Sequence, residues 1–259
     1  METIAIIPAR GGSKSIHRKN IQLLAGKPLI AHTIESAKKS KYISRIVVST
    51  DDQEIALISK QYGAEVVWRP DYISGDLASS ESALLHSLDC LKSRENYHPD
   101  ILVFLQCTSP LTSPDDIDGT IQTLFEDSAD SALAVTPYHY FLWEKGPNNE
   151  AIGINHDKAN RPMRQQKDPQ YLETGAVYVM RTDGFLKAKY RFFGKTVMHA
   201  IPPERHWEID EPNDFVIAEV LMQKRNQTMK IKALPIPISG LVMDFDGVFT
   251  DNKVIEDSS

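Results

Sequence analysis

A run of glycines and basic residues near the amino terminus has the composition of a polyphosphate-binding loop. It follows a short apolar segment and comprises Arg10, Gly11, Gly12, Ser13 and Lys14, with Arg18, Lys19 and Asn20 shortly after. Paired glycines let the backbone approach a phosphate with its N–H groups turned inward, and the cations offset the charge of a triphosphate. The run matches neither the GxxxxGK[ST] loop nor the GxGxxG fingerprint. A glycine turn before a solvated basic loop is the alternative, which four cations around one glycine pair disfavour.

An acidic pair near the carboxyl end could hold a divalent cation. Glu208 and Asp210 alternate around Ile209, so in an extended segment both carboxylates project to the same side. Two hard oxygen donors, completed by water and phosphate oxygens, suit Mg²⁺. The alternative is a pair of solvated acids ahead of a helix that begins at Pro212 and has Asp210 as its cap.

Polar side chains also follow a buried strand. Gln106, Thr108 and Ser109 come directly after the apolar run 101–105. Open α/β sheets bind their ligands at the carboxyl ends of strands, and these side chains suit the hydroxyls of a sugar. A Ser-Pro turn with capping hydroxyls accounts for part of this pattern, so Gln106 is the strongest candidate.

The elements that must position these residues alternate along the chain. Short apolar runs predict strands at 4–8, 45–50, 65–68, 101–106, 131–136 and 176–180. Helical patterns, several opened by Asp, Ser or Pro, lie at 28–39, 52–62, 79–92, 115–127 and 212–227. This alternation predicts an α/β fold with a mostly parallel, nearly all-buried sheet flanked by helices.

Two stretches depart from the alternation. Residues 137–171 are rich in Pro, Asn, Gln and Arg but begin with aromatics, which favours a packed inserted arm that completes a partner subunit. We therefore predict one domain over 1–228, a linker at 229–240 and the start of a second unit at 241–259. The last segment is too short to fold independently.

Composition limits the class of protein. The 259 residues are 41% hydrophobic and 25% charged, and the net charge of −6 argues against sequence-independent nucleic-acid binding. The two cysteines, Cys90 and Cys107, are too few for a disulfide framework and lack metal-ligand spacing. No segment resembles a signal peptide or a transmembrane helix, so we expect a cytoplasmic protein without membrane partners.

The ordered motifs resemble those of the N-acylneuraminate cytidylyltransferases, or CMP-sialic acid synthetases. The first is ARGGSK followed by RKN. The later blocks are Arg69-Pro70 with Ser74-Gly75-Asp76 and Ser79-Ser80, LQCTSPL at 105–111, TGAVYV at 174–179 and EIDEPNDF at 208–215. Their joint order is more specific than any one block. The resemblance implies a Rossmann-related fold of the nucleotide-diphospho-sugar transferase type.

The resemblance also implies a role for each matched residue. The nucleotide would be held by Arg10, Gly11, Gly12, Ser13, Lys14, Asn20, Arg69 and Ser80, the last two near cytosine. The sugar would be held by Gln106, Thr108, Ser109, Arg164, Thr174, Tyr178, Phe192 and Phe193. Arg164, with Arg161 and Lys145 as weaker candidates, would grip the sugar carboxylate across a homodimer interface. Taken alone, Arg69 also fits a surface ion pair and Ser80 a helix cap.

The implied reaction is transfer of CMP from CTP to the anomeric hydroxyl of a nine-carbon 2-keto acid sugar, a nonulosonic acid, with release of pyrophosphate. Arg10, Lys14 and Asp210 would be catalytic, with Mg²⁺ on Glu208 and Asp210. The family usually has Asp at position 208, so Glu208 could bind the metal directly, bind it through water, or leave Asp210 as the main ligand. It commonly has Asn at position 174, so the preference for an N-acyl or a hydroxyl group is open. A synthetase for an eight-carbon acid such as Kdo, uridylyl transfer to a sugar 1-phosphate, and a non-catalytic nucleotide-binding module are the alternatives.

The final motif belongs to a different family. DFDGVFTD at 244–251 resembles the first motif of haloacid dehalogenase phosphatases, which implies the truncated start of a phosphatase domain. In such enzymes the first aspartate is a nucleophile and the second a general acid. Because the chain ends 19 residues after it enters this unit at Leu241, Asp244 and Asp246 should not form a working site.

Overall fold

A seven-stranded sheet organises the first of two units into which the chain divides, Met1–Met222 and Gln223–Ser259. The computed structural model describes residues 1–13 and 15–232, with side chains to residue 225. Lys14 and the phosphatase-like segment 241–259, both of which carried predictions, lie outside the described residues.

The strands and helices follow the alternation that the sequence predicts. The strands are β1 Thr3–Pro8, β2 Leu23–Leu24, β3 Lys27–Pro28, β4 Arg45–Thr50, β5 Glu65–Trp68, β6 Ile101–Leu105, β7 Ser131–Tyr138, β8 Trp143–Lys145, β9 Ala151–Gly153, β10 Gln170–Arg181 and β11 Thr196–Ala200. The helices are α1 Leu29–Lys38, α2 Gln53–Gln61, α3 Ser80–Glu95, α4 Pro114–Glu126, α5 Thr182–Ala188 and α6 Pro212–Lys232.

The sheet is mostly parallel, as predicted. Its strand order is β11-β7-β10-β6-β1-β4-β5, and β10 alone runs antiparallel, to both β6 and β7. The parallel neighbours are joined through helices, because a parallel connection must cross the sheet. All the parallel strands therefore end at the same edge of the sheet.

Helices cover both faces of the central strands. Successive side chains of a strand point to opposite faces, so Ile4 and Ile6 pack with α3 and α5, whereas Ala5 and Ile7 pack with α1, α2 and α4. Burial on both sides explains why β1 and β6 are continuous apolar runs.

Five elements differ from the sequence expectations. Strand β11 and helix α5 were not predicted, because β11 alternates exposed with half-buried residues and α5 has only seven residues. Helix α6 continues to Lys232, so the predicted linker at 229–240 begins inside a helix. Strands β7 and β10 extend into the predicted insertion, which leaves residues 139–169 as the arm that carries the β8–β9 hairpin.

Across the described residues, no helix combines the length and the apolar character needed to cross a bilayer.

A capping box fixes the start of α4. Ser113 Oγ accepts a hydrogen bond from the Asp116 N–H at 3.2 Å, and the Asp116 carboxylate accepts one from the Ser113 N–H at 2.8 Å. Pro114 fills the first helical position, where a missing N–H does no harm. These contacts satisfy donors that the first helical turn would otherwise leave unpaired.

We expect Ser113→Ala to lower the free energy of unfolding by about 1 kcal/mol, which corresponds to a melting temperature lower by about 2–4 °C. Calorimetry or thermal denaturation measures this. Ser93→Ala, in an exposed position within α3, is the matched control and should change stability by less than about 0.5 kcal/mol. Equal melting temperatures for both variants would contradict the capping role.

Candidate functional site

Polar and charged side chains gather at the edge where the parallel strands end. The glycine-rich segment 9–13 follows β1, Asp51 and Asp52 follow β4, Arg69 follows β5, and Gln106 to Ser109 follow β6. Because β10 is antiparallel, its beginning, at Glu173 to Gly175, joins the same edge. Most of the residues that the sequence identified therefore lie together at the carboxyl ends of the parallel strands, where open α/β sheets bind their ligands.

Two aspartates hold the glycine loop in place. The Gly11 N–H donates to Asp51 Oδ1 at 2.9 Å, and a Cβ at Gly11 would lie 2.9 Å from the Cβ of Asp52. Glycine is therefore required at position 11, whereas a Cβ at Gly12 would meet nothing within 4 Å. Arg18 Nη2 contacts both Asp52 oxygens at 2.9 and 3.1 Å, so this predicted phosphate ligand already has an anionic partner.

Arg10 and Asn20 flank the loop in different ways. Arg10 Nη1 donates to the carbonyl of Gly75 and to Asp76 Oδ1, both at 3.0 Å. Asn20 is buried, and its Nδ2 donates to the Arg10 carbonyl at 2.9 Å while its Oδ1 accepts from Cys107 Sγ at 3.1 Å. Burial raises the pKa of the Cys107 thiol to about 11, so the thiol stays a donor. Asn20 thus holds the loop backbone in place. Its contact with Cys107 was not predicted from the sequence.

Lys19 connects the loop to the acidic pair. Its buried Nζ donates to the Ile209 carbonyl at 2.6 Å and to Asp210 Oδ1 at 3.2 Å. The sequence predicted Lys19 as a cation facing a triphosphate. In the structure it also fixes the distance between the glycine-rich loop and the segment of Glu208 and Asp210.

Arg69 is buried and bonded to the main chain. Its Nη2 donates to the Ser49 carbonyl at 2.7 Å and its Nε to Ser49 Oγ at 3.2 Å. Burial lowers the pKa of Arg69. With 8% of its surface exposed, Arg69 is not the surface ion-pair residue of the alternative interpretation. Ser80 is the first residue of α3, and the cap is Ser79, whose Oγ accepts from the Ser82 N–H at 3.2 Å.

The two acids differ in their surroundings. Glu208 Oε1 accepts from Thr108 Oγ1 at 2.8 Å, and burial raises the pKa of Glu208, with the charges of Asp210 and Glu173 acting in the same direction. Asp210 has 68% of its side chain exposed beside Lys19. Asp210 is not the cap of α6, because the Asp214 carboxylate accepts from the N–H groups of Asp210 and Glu211 at 2.9 and 2.7 Å.

Gly175 lies between Gln106 and Glu208. Its φ of +66° is in the left-handed region, and an added Cβ would lie 2.7 Å from Gln106 Oε1 and 2.9 Å from Glu208 Oε2. The side chains of Gln106 and Glu208 therefore meet over this glycine. Thr174 instead turns into the sheet and donates to the Ala134 carbonyl at 2.9 Å, and Ser109 is fully buried, so neither hydroxyl faces this space.

An aromatic cluster borders the same strands. Tyr178 stacks on Phe104 with ring centroids 5.3 Å apart and meets the edge of Phe192 at 5.9 Å. Phe193 packs over Gly184, where an added Cβ would lie 2.1 Å from the ring. Tyr178 and Phe192 thus form a wall, whereas Phe193 belongs to the packing around α5.

The arm has its own cavity of about 850 Å³, lined by aromatic residues together with Arg161, Met163 and Arg164. Phe141 has Arg161 4.6 Å and Lys167 4.3 Å from its ring centre. In the described part of the chain no hydrogen bond or ion pair connects Arg161 or Arg164 to the residues around Glu208. The predicted carboxylate ligands and the predicted sugar ligands are therefore not brought into contact within one chain.

The donor set at Glu208 and Asp210 fits Mg²⁺ more closely than a transition metal. Within residues 1–13 and 15–232, no group of three or more His, Cys, Asp or Glu side chains converges as a metal site. Mg²⁺ commonly binds one or two carboxylates and takes its other ligands from water and substrate phosphates. Burial raises the pKa of Glu208, and the charge of neighbouring Asp210 acts in the same direction. A bound cation would offset the repulsion between these two carboxylates.

Known proteins resemble this chain in sequence over most of its length. Residues 4–232 match the family model described as cytidylyltransferase. N-acylneuraminate cytidylyltransferase A of Danio rerio is 31% identical over 264 residues, which cover 98% of this chain and 58% of that protein. CMP-N,N'-diacetyllegionaminic acid synthase of Legionella pneumophila is 31% identical over 237 residues, 88% of this chain and 100% of that protein.

The fold is also similar to a solved structure of CMP:2-keto-3-deoxy-manno-octonic acid synthetase complexed with CTP. The TM-score is 0.63 at 18% identity, and the match covers 87% of this chain and 100% of the other. This likeness supports the nucleotidyltransferase-type fold that the sequence resemblance implied. The chain spans a little over half the length of the Danio rerio relative.

We expect Gly175→Ala to destabilise the protein by about 1–2 kcal/mol or more, because a left-handed backbone is unfavourable for alanine and the methyl group would meet Gln106 and Glu208. Thermal denaturation measures the loss. Gly12→Ala is the control, since a Cβ there meets nothing within 4 Å. A Gly175→Ala variant as stable as Gly12→Ala would refute the close approach.

Proposed function

Because the chain belongs to the cytidylyltransferase family, we propose that it transfers CMP from CTP to the anomeric hydroxyl of a nonulosonic acid and releases pyrophosphate. The observation that carries the proposal is the convergence of the glycine-rich loop, buried Arg69 and the Gln106–Glu208 pair at one sheet edge. The relatives are named for different nine-carbon acids, so the proposal names the class of acid.

The triphosphate of CTP would lie on the glycine-rich loop. The open space at Gly12 leaves room for a phosphate close to the backbone. Arg10 is held by Asp76 in a partly exposed ion pair, a contact weak enough for a phosphate to replace. Lys14 and Ser13, the remaining predicted phosphate ligands, complete this part of the proposal.

The cytosine would lie between β5 and the start of α3. The guanidinium of Arg69 is fixed by the Ser49 carbonyl, so it is oriented before a ligand arrives. Cytosine presents a carbonyl acceptor, a ring nitrogen and an amino donor, which Arg69, Ser80 and backbone groups can recognise.

The reaction would be an in-line displacement. The anomeric oxygen of the acid attacks the α-phosphorus, the bond from that phosphorus to the bridging oxygen breaks, and pyrophosphate leaves with the electron pair. Asp210, with its accessible carboxylate, would take the hydroxyl proton. Arg10 and Lys14 would offset the charge that develops on the leaving pyrophosphate, so catalysis would rest on positioning and electrostatics.

Glu208 and Asp210 would hold a Mg²⁺ ion, which supplies neutralisation of phosphate charge when it is bound. Lys19 keeps these acids next to the glycine-rich loop, so phosphate oxygens and carboxylates can share a cation. We also infer a cytoplasmic location, which the two free cysteines support.

The sugar acid would lie against Gln106, Thr108 and the wall of Tyr178 and Phe192. Its carboxylate would be gripped by Arg164 from a second copy of the chain. Exposed apolar residues on the arm support a homodimer: Tyr140 is 63%, Trp143 51% and Met163 69% exposed. Such patches usually mark an interface.

The decisive test is release of pyrophosphate by the purified protein with CTP, Mg²⁺ and a panel of acids. The panel contains N-acetylneuraminate, its deaminated analogue, di-N-acyl nonulosonic acids and the eight-carbon acid Kdo. We expect turnover with at least one nine-carbon acid, a preference for CTP over UTP, and loss of turnover in EDTA that Mg²⁺ restores. Absence of release with every acid would favour a nucleotide-binding module instead, and preference for Kdo would choose the eight-carbon class.

Arg10→Ala in the same assay should lower kcat at least about 100-fold, because one electrostatic ligand of the transition state is lost. Its melting temperature should stay within a few degrees of the unchanged protein, since the ion pair with Asp76 is partly exposed. Arg10→Lys, which keeps the charge, should retain part of the activity. Unchanged turnover in Arg10→Ala would remove Arg10 from this role.

The dimer can be tested separately. Trp143→Asp should convert the protein to monomers in sedimentation velocity and raise the KM for the acid, because Arg164 is withdrawn from the partner's site. Leu57→Asp, in α2 and 58% exposed, is the control and should leave the dimer intact. A monomeric unchanged protein, or a Trp143→Asp variant that still dimerises, would refute this assembly.

A further inference from the structure

A series of contacts lies behind the aromatic wall of Tyr178 and Phe192. It includes three charged residues with no role assigned above, Glu81, Arg191 and Glu173. The hydroxyl of Tyr178 donates to Glu173 Oε1. The guanidinium of Arg191 lies 4.6 Å from the centre of the Tyr178 ring, and its Nε donates to Glu81 Oε1 at 2.7 Å. The contacts thus run from Glu81 to Arg191, then to Tyr178, and end at Glu173.

The first contact of the series is a buried ion pair, Glu81 with Arg191, between distant segments of the polypeptide. Glu81 and Arg191 are 110 residues apart, and their side chains are only 7% and 17% exposed. Removing one partner of such a pair leaves an uncompensated charge in the interior, which is strongly unfavourable. The guanidinium also lies over Phe104 at 4.9 Å, as planar arginine commonly does with aromatic rings. Arg191 therefore has a fixed position beside Tyr178.

Tyr178 transmits that position to its hydroxyl. The ring is 3% exposed and confined by Phe104, Phe192 and Arg191, so its orientation is set. Burial raises the pKa of Tyr178, with the Glu173 carboxylate acting in the same direction, so the phenol remains a hydrogen-bond donor. Its acceptor, Glu173, is thereby held as well.

Glu173 is the residue of this contact series that lies at the sheet edge where the candidate site is found. It is exposed, and it precedes Thr174 and Gly175 at the start of β10, next to Gln106. Its Oε1 accepts from the Tyr178 hydroxyl, and Gly175, two residues further along β10, lies against the side chain of Gln106. An ionised carboxylate only accepts hydrogen bonds, so this position selects for a hydroxyl or an amide N–H on the ligand.

We propose that Glu173 is a specificity-determining residue of the sugar subsite, which accepts a hydrogen bond from a donor group of the acid, and that Arg191 is the positioning residue that fixes it through Tyr178. The inference rests on the proposed function, because it takes the space beside Gln106 and Tyr178 as the place of the sugar.

Steady-state release of pyrophosphate tests the role of Glu173. With the acid varied at saturating CTP, Glu173→Gln should raise the KM for the acid about tenfold, since a charge-assisted hydrogen bond is lost. The KM for CTP should change less than about twofold, which a general structural defect would not reproduce. N-acetylneuraminate and its deaminated analogue, measured in parallel, separate an amide donor from a hydroxyl donor. Glu126→Gln, at the far end of α4, is the matched control.

Two further variants test the connection to Arg191. Tyr178→Phe removes the hydroxyl and keeps the ring, and the double variant with Glu173→Gln should bind the acid no worse than Glu173→Gln alone. Arg191→Lys keeps the charge but loses the planar contact with Tyr178, so it should also raise the KM for the acid and leave the KM for CTP unchanged. Additive effects in the double variant would overturn the link through Tyr178.

The outcomes separate the two proposals. If the unchanged protein turns over an acid and Glu173→Gln has the same KM for it, or loses CTP affinity in parallel, the role of Glu173 is refuted while the proposed function stands. If the unchanged protein releases no pyrophosphate with any acid, the proposed function fails and this inference with it. Because Glu173 is exposed, Glu173→Gln should fold even if Arg191→Lys does not.

Discussion

The contact of Lys19 with the segment around Asp210 is the constraint on which the whole site depends. It joins residues 190 positions apart in the chain, the end of the loop after β1 and the segment before α6. A buried ammonium needs partners that compensate its desolvation, and here they are a main-chain carbonyl and a carboxylate. The backbone of the glycine-rich loop and the backbone of the acidic segment are therefore held at a defined separation.

Three of the described cations at this edge are paired with carboxylates of the same protein. Arg10 pairs with Asp76, Arg18 with Asp52 and Lys19 with Asp210, while Arg69 is bonded to the Ser49 carbonyl. A polyphosphate that binds here, as proposed, would compete with these carboxylates for Arg10, Arg18 and Lys19. The pair of Arg10 is more exposed than the contacts of Lys19 and Arg69, so exchange is easiest there, whereas the buried contacts keep the geometry. In the proposed function, Arg10 would therefore exchange its partner for a phosphate, whereas Lys19 and Arg69 would hold the geometry.

The sequence predicted the parts of this fold that follow from local patterns. Strands β1 and β6 are recognisable because burial on both faces makes them continuously apolar, and the residues after them fall at the ligand-binding edge by topology. Strand β11 was missed because it alternates half-buried with exposed residues at the sheet margin. Contacts such as Cys107 with Asn20, or Arg191 with Glu81, could not be inferred, because they join residues 87 and 110 positions apart that carry no shared motif. For Thr174, the family resemblance implied a contact with the sugar. In the structure the register of β10 shifts between Glu173 and Tyr178, and the Thr174 hydroxyl donates to the Ala134 carbonyl.

The side chains at positions 208 and 210 have different contacts. The carboxylate of Glu208 reaches Thr108 and lies against Gly175, which also lies against Gln106. Asp210 stays exposed next to Lys19. The two acids are therefore unequal: Asp210 is the accessible carboxylate beside Lys19, and Glu208 packs against the residues proposed for the sugar. Glu173 adds a second carboxylate to that same side. If the acid binds beside Gln106 as proposed, a change at position 208 would alter the choice of acid more than the binding of the nucleotide.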